Sequence, residues 1–239
     1  MKRDYLSYSA LKMFAKSPNH YLAYTRREFK PSPAMQLGSL VHILVLEEDK
    51  LAERYAISPE VNKRTKAGKE AYAKFVEEAG EKEVVLESQV QEAQVIADVI
   101  KKHPIAKQVL ASATEFEYEV KGEINGFPFL GYADILSKNY IYDLKTCQDA
   151  SPNKFQRDAA SLQYHLQGAI YRELLGLPFR WIAVETSDPF NVQVYEQDEE
   201  SYKRERDRLY QLVESFKEWD GEPREYSDKV LTLTLPPWA

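Results

Sequence analysis

The sequence predicts an α/β (α+β) fold, a central mixed sheet with an antiparallel meander flanked by helices, and three observations lead there. Over residues 114–146 the apolar period is two, interrupted by the turn pair Asn125-Gly126. Within 35–47, Leu37, Leu40, Val41 and Leu44 recur at helical spacing. After the period-two region the chain returns to helix, strand and helix, with no internal repeat and no low-complexity segment.

The opening stretch, 4–29, reads as two short helices: Ser7 or Ser9 caps the first, Ser17-Pro18 breaks it, and Asn19 caps the second. The connector over 31–35, with prolines at Pro31 and Pro33, is stiff. The apolar stripe that follows marks 35–47 as a buried core helix. A basic run over 63–69 enters a helix expected to reach Glu78, and 88–102 forms another that ends at His103-Pro104. Residues 114–124, 127–137 and 140–146 are the three strands of the meander. Helix is expected again over 158–175, strands over 180–186 and 191–197, and a long charged helix over 199–219. The tail over 231–239 is expected to dock on a neighbour.

With 239 residues and 44% hydrophobic content the chain can bury a sizeable core, and one domain over 1–239 is expected. In that reading 1–110 is a helical part, 111–220 holds the sheet and its helices, and 221–239 is a tail. A formal charge of −6 argues against a protein that coats nucleic acid through bulk positive charge, while leaving room for a local basic channel. The single cysteine, Cys147, excludes an intrachain disulfide and a cysteine-rich metal site, so any metal would be held by oxygen and imidazole. No apolar run is long enough to cross a bilayer and the first residues lead into polar helix, which predicts a soluble, cytoplasmic protein.

Asp134, Asp143 and Lys145 stand in the meander where a plain sheet would carry threonine or valine. A two-residue turn at Asn125-Gly126 sets Glu117 opposite Asp134, and one at Lys138-Asn139 sets Asp134 opposite Asp143. Opposed Cβ atoms in such a row lie about 4.5–5.5 Å apart, so ionised acids repel unless a cation sits between them. Lys145, two residues past Asp143, projects from the same face. The set supplies hard oxygen ligands and a fixed positive charge, as Mg²⁺ and a phosphate under attack require. Ile135, Leu136, Ile141 and Leu144 make these strands central and buried, where unpartnered acids are costly. Glu117 alternates with Glu115 and Glu119 as on an exposed strand, so alone it reads as part of a solvated face.

"GYADIL" followed by "DLKT" resembles the signature of the PD-(D/E)xK nuclease superfamily, with Asp134 as its first acid and Asp143-Leu144-Lys145 as its (D/E)xK element. Ala133 replaces the motif's proline, and the second acid is Asp rather than the commoner Glu. "MQLGSLVHILVLEE" resembles the G-x-x-x-H-x-x-x-x-E helix of the RecB and RecE branch, with Gly38 one turn before His42 and leaving space beside its imidazole. Read alone, His42 is as consistent with a structural histidine as with a ligand. "QYHLQGAIY" is similar to that branch's Q-x-x-x-Y element through Gln167 and Tyr171, with Gln163 one turn earlier on the same expected face. The N-terminal "YSALKMFAKSPNHY" and the later "IAVETSDPFNVQVYE" also resemble their counterparts in RecE-like (exodeoxyribonuclease VIII-type) phage exonucleases, so the likeness runs in order over about 5–220.

The resemblance implies a restriction-endonuclease-like core and an Mg²⁺-dependent exodeoxyribonuclease, with Mn²⁺ expected to substitute. Such an enzyme degrades one strand of linear duplex DNA, in the RecE case from the 5′ end, and leaves a 3′ single strand for recombination by strand annealing. It implies that His42, Asp134, Asp143 and the Leu144 carbonyl hold metal. Lys145 would orient the attacking water or stabilise developing charge, and Gln163, Gln167 and Tyr171 would position the DNA backbone. Phosphate contacts must come from local basic groups, with Lys63, Arg64, Lys66, Lys69, Lys101 and Lys102 as candidates, each of which read alone is an ordinary solvated charge. The implied setting is a phage or prophage gene product in the bacterial host cytoplasm, forming a homo-oligomeric ring, tetramer or trimer, with double-stranded DNA ends and a RecT-like single-strand annealing protein as partners. The competing reading is a nuclease fold kept only as a DNA-binding or assembly module. The sequence leaves open whether Glu117 or Glu185 joins the metal shell.

Overall fold

The computed structural model describes residues 3–28, 30–58, 61–62 and 64–235. Helix α1 (Tyr8–Lys16) starts where Ser7 Oγ accepts the Ala10 N–H. Ser17 closes α1 and caps α2 (Pro18–Arg26) by accepting the His20 N–H. Asn19, the expected cap, lies inside α2, and its side chain accepts from the backbone N–H of Arg224 instead. The expected stiff connector is itself the start of α3 (Pro33–Leu46): Ser32 caps it and Pro33 occupies the first turn, where a missing N–H costs nothing.

A 3₁₀ turn (Glu48–Lys50) leads through α4 (Leu51–Arg54) into β1 (Tyr55–Ser58). Helix α5 (Lys66–Ala79), capped by Thr65, then leads to β2 (Glu83–Leu86), which pairs with β1 in parallel. Next come α6 (Glu87–Lys102) and α7 (Pro104–Ser112). The sequence reading contains neither β1, β2 nor α7. His103-Pro104 looks like a stop, yet a proline at the first helical position opens a helix as readily as it closes one, and His103 Nδ1 accepts the Ala106 N–H as its cap.

The main sheet has the order β3-β4-β5-β6-β7, from β3 (Ala113–Ile124), β4 (Phe127–Ser137), β5 (Ile141–Cys147), β6 (Phe179–Glu185) and β7 (Val192–Glu196). All neighbours are antiparallel except β5 and β6, which run parallel because α8 (Pro152–Ser161) and α9 (Tyr164–Leu175) form the crossover between them. Where one helix was expected over 158–175 there are two, broken at Gln163, whose φ of 60° is left-handed. Helix α10 (Glu199–Glu218) completes the fold.

Strand β5 divides its side chains by period two. Tyr142 and Leu144 join Leu40, Leu44, Ile96 and Ile100 of α3 and α6 on one face. Ile141 joins Phe155, Tyr171, Phe179 and Trp181 on the other. A third cluster packs α1, α2, α9 and α10 around Phe14, Tyr21, Phe216 and Trp219. Each fully buried aliphatic or aromatic side chain of this kind contributes about 1.5–3 kcal/mol. The outcome is a sheet centre held between helical layers, with Asp134, Asp143 and Lys145 on its interior strands β4 and β5. No helix among the described residues is long and apolar enough to cross a membrane.

Candidate metal centre and catalytic pocket

The β3–β4 register places Phe116 opposite Ile135 and Tyr118 opposite Ala133, as the Asn125-Gly126 turn predicts. The β4–β5 pairs Ile135–Tyr142 and Leu136–Ile141 likewise follow the register of a turn at Lys138-Asn139. Beyond Ile135 a side chain takes over from the ladder: the Leu144 N–H donates to Asp134 Oδ2 at 2.7 Å. The Leu144 carbonyl accepts from His42 Nε2 at 2.8 Å. Both backbone groups of one β5 residue are thus satisfied by the two candidate ligands.

A carbonyl only accepts, so Nε2 carries the proton and Nδ1 presents its lone pair. That nitrogen lies 3.4 Å from Asp134 Oδ2. Burial holds His42 below its ordinary pKa, with the Asp143 charge opposing, so a neutral ring faces the Asp134 carboxyl. Once the carboxyl is ionised, two lone pairs at that separation make a poor contact for each other and a good one for a cation. Glu117 completes the group: donor atoms of His42, Glu117 and Asp134 all lie within 4.8 Å of one another. Its backbone φ of 49° is left-handed, a conformation that costs about 1–3 kcal/mol in a non-glycine residue. Glu117 is half-buried while Glu115 and Glu119 stay exposed, so the solvated-face reading of Glu117 gives way.

Charge behaviour fits the same picture. Burial, followed by the charge of Asp143, raises Asp134 well above the usual carboxylate range. Burial and then Asp134 raise Glu117. Carboxyls crowded in this way bind protons when no cation is present and release them to one that arrives. One imidazole and two carboxylates, with the histidine's second N–H fixed by a backbone carbonyl, form a donor set that suits a hard divalent ion. The residues present fit a metal.

Asp143 is placed beside this cluster, and its oxygens have other partners. Oδ1 accepts from Gln167 Nε2 at 2.5 Å, and Oδ2 faces the Lys145 ammonium at 2.6 Å. Burial works to lower the Lys145 pKa, but Asp143 and Asp134 together outweigh it, and the net shift is upward. The ammonium also stands 4.9 Å from the Tyr164 ring centroid. The Leu144 carbonyl, expected as a ligand, is engaged by His42.

Gln167 and Tyr171 share the inner face of α9 and are buried. The Tyr171 hydroxyl donates to the Tyr132 carbonyl at 2.7 Å and accepts the Tyr132 N–H at 3.1 Å, so it fixes β4. Gln163 leaves that face, because α9 begins at Tyr164 and the left-handed turn sends its side chain to Arg208 Nη2 at 2.9 Å. Glu185 lies apart from the cluster and accepts the backbone N–H groups of Ala150 and Asn191.

His42, Glu117 and Lys145 line an open pocket of about 750 Å³, with Met35, Arg54 and Leu162 at its walls. Arg54 escaped the sequence reading. Arg64, Lys66, Lys69, Lys101 and Lys102 do not line the pocket, and Lys66, Lys101 and Lys102 are paired with Glu70, Glu48 and Asp98. Lys63 lies outside the described residues. Gly38 serves another purpose than making room for the imidazole: a Cβ there would stand 3.2 Å from Thr146 Oγ1, so it lets α3 approach β5 closely.

A family model described as "PDDEXK-like domain of unknown function (DUF3799)" matches residues 7–225. Among solved structures, the crystal structure of a "Putative exonuclease" from Eubacterium rectale is similar, with 16% identity and a TM-score of 0.62 over 98% of this chain and 91% of that one. An alkaline exonuclease from Laribacter hongkongensis has 13% identity and a TM-score of 0.32, over 71% of this chain and 92% of that one. The first likeness is one of fold, and the second carries no argument. No curated protein matches the chain.

Proposed function

The chain belongs to the PDDEXK-like family, and on that premise we propose that it is a divalent-metal-dependent exodeoxyribonuclease that degrades one strand of linear duplex DNA. One observation carries the reading: donor atoms of His42, Glu117 and Asp134 lie within 4.8 Å of one another, and His42 and Glu117 line the same pocket as Lys145. Mg²⁺ is the proposed metal, with Mn²⁺ as a substitute, and when bound it would supply Lewis acidity toward the phosphate and the attacking water.

The protein's own groups then have separate tasks. Leu144 fixes the spacing of His42 and Asp134 through its two backbone groups. Gln167 holds one oxygen of Asp143, which leaves the other to Lys145. A cation so held, half-buried against Tyr164, is a fixed charge for the phosphate's developing negative charge and needs no reorganisation at the moment of reaction. Arg54, bonded to Glu47 at 2.7 Å, adds a guanidinium at the rim. Attack from the 5′ end, assembly into a ring and partnership with a strand-annealing protein extend the same proposal.

The test is incubation of purified protein with linear and closed circular duplex DNA, with Mg²⁺ or with EDTA. Loss of the linear form alone, and only with metal, is the expected result. Equal loss of both forms would make it an endonuclease, and loss in EDTA would remove the metal from the account.

A further inference from the structure

Helix α1 carries a cation that the chemistry above leaves unused. Lys12 is half-buried, and its ammonium stands 4.9 Å from the centroid of the Tyr8 ring. Tyr8 is fixed in turn: its hydroxyl donates to the Leu162 carbonyl at 2.8 Å, and Leu162 lines the same pocket as Lys145. Among the described residues Lys12 forms no ion pair, whereas Lys145 has Asp143 at 2.6 Å. Burial, and after it the charge of Lys145, holds Lys12 below the ordinary lysine pKa. Lys12 is thus tied through Tyr8 to Leu162 at the pocket's margin, and unlike Lys145 it has no carboxylate in an ion pair among the described residues.

A partly desolvated ammonium without a counter-ion is unfavourable, and an entering anion relieves it. We propose that Lys12, resting on Tyr8, is a second phosphate subsite at the margin of the pocket and binds a backbone phosphate of the DNA strand next to the one that Lys145 faces. This rests on the proposed function and makes Lys12 a positioning residue. Lys16, one turn further along α1, is exposed and serves as its control.

Affinity for a labelled linear duplex is measured by fluorescence anisotropy over a range of salt, in the full chain carrying Asp134→Asn so that DNA is not consumed. Lys12→Gln is expected to weaken binding and to reduce the magnitude of the slope of log K against log salt by about 0.9, the contribution of one phosphate. Lys12→Met, which keeps the apolar stem, is expected to do the same, Lys12→Arg to restore the slope, and Lys16→Gln to leave both quantities unchanged. With Asp134 intact, Lys12→Gln should raise KM more than it lowers kcat. Unchanged affinity and slope in Lys12→Gln, or an equal loss in Lys16→Gln, overturns the subsite while DNA binding and cleavage still support the nuclease. Absence of any DNA binding by the Asp134→Asn chain overturns both.

Discussion

At the scale of single residues, Leu144 organises the site. Its N–H and C=O hold Asp134 and His42, so strand geometry, rather than flexible side chains, sets the distance between two ligand atoms. Asp134, Asp143 and Lys145 could be singled out in the sequence because each stands where its surroundings are apolar, whereas His42 was marked only by the family resemblance of its helix. Glu117 was set opposite Asp134 by the hairpin register but read alone as part of a solvated face, because it alternates with Glu115 and Glu119; its half-burial and left-handed φ are invisible in that pattern. Gln163 misled for the same reason: helical spacing assigns it to the face of Gln167, and one left-handed residue removes it. Two substitutions separate the roles that follow. Glu117→Gln keeps the shape and removes one anionic donor, so apparent Mn²⁺ affinity should fall by about tenfold or more, read from the metal dependence of the melting temperature. Lys145→Ala removes a positive charge beside the cluster, so metal affinity should not fall, while turnover on linear DNA should drop by on the order of 10²–10³. A Lys145→Ala protein that cleaves at the wild-type rate would leave the lysine without a catalytic part.

At the scale of elements, the β3–β4 and β4–β5 registers were legible because an Asn-Gly pair fixes a two-residue hairpin and burial of one face forbids a slip. The short parallel pair β1–β2 was not, since four-residue strands far apart in sequence carry no period of their own. Helix α9 links the two kinds of information: it covers one sheet face and its Tyr171 hydroxyl bridges both backbone groups of Tyr132 where β4 has left β5. Gly131 is required there, because a Cβ would lie 2.6 Å from that hydroxyl oxygen. Tyr171→Phe should therefore destabilise the protein by about 1–3 kcal/mol through the unsatisfied Tyr132 groups, measured by denaturant unfolding. Activity per folded molecule should fall as well, because β4 carries Asp134. If stability is lost but the specific activity of the folded fraction is unchanged, Tyr171 is a packing residue with no hold on the site.

At the scale of the whole molecule, the crowded ligands tie folding to pH and to metal. Asp134 and Glu117 have raised pKa values in the folded state, so the stability they contribute is present below their unfolded pKa and is lost as pH rises through the folded one. His42 is lowered, so in acid the unfolded chain takes up a proton that the folded ring refuses, and stability falls as pH drops below the ordinary histidine range. In EDTA the protein should consequently lose stability as pH rises through the raised folded values of the two carboxyls, and again as pH falls below the ordinary histidine range. A divalent cation replaces the protons on both carboxylates, so its stabilising effect should grow from pH 5.5 to pH 8. At a hundredfold excess over Kd it is expected to reach about 2.7 kcal/mol. Asp134→Asn keeps an acceptor for the Leu144 N–H but removes the buried charge. In EDTA at pH 8 this variant should melt above the wild type, and it should gain little from Mg²⁺ or Mn²⁺. Calorimetry at the two pH values, with EDTA and with each metal, reads every arm of this prediction. A metal-induced shift of equal size at both pH values, or one that survives in Asp134→Asn, would mean that the cation binds elsewhere and that His42, Glu117 and Asp134 are not its ligands.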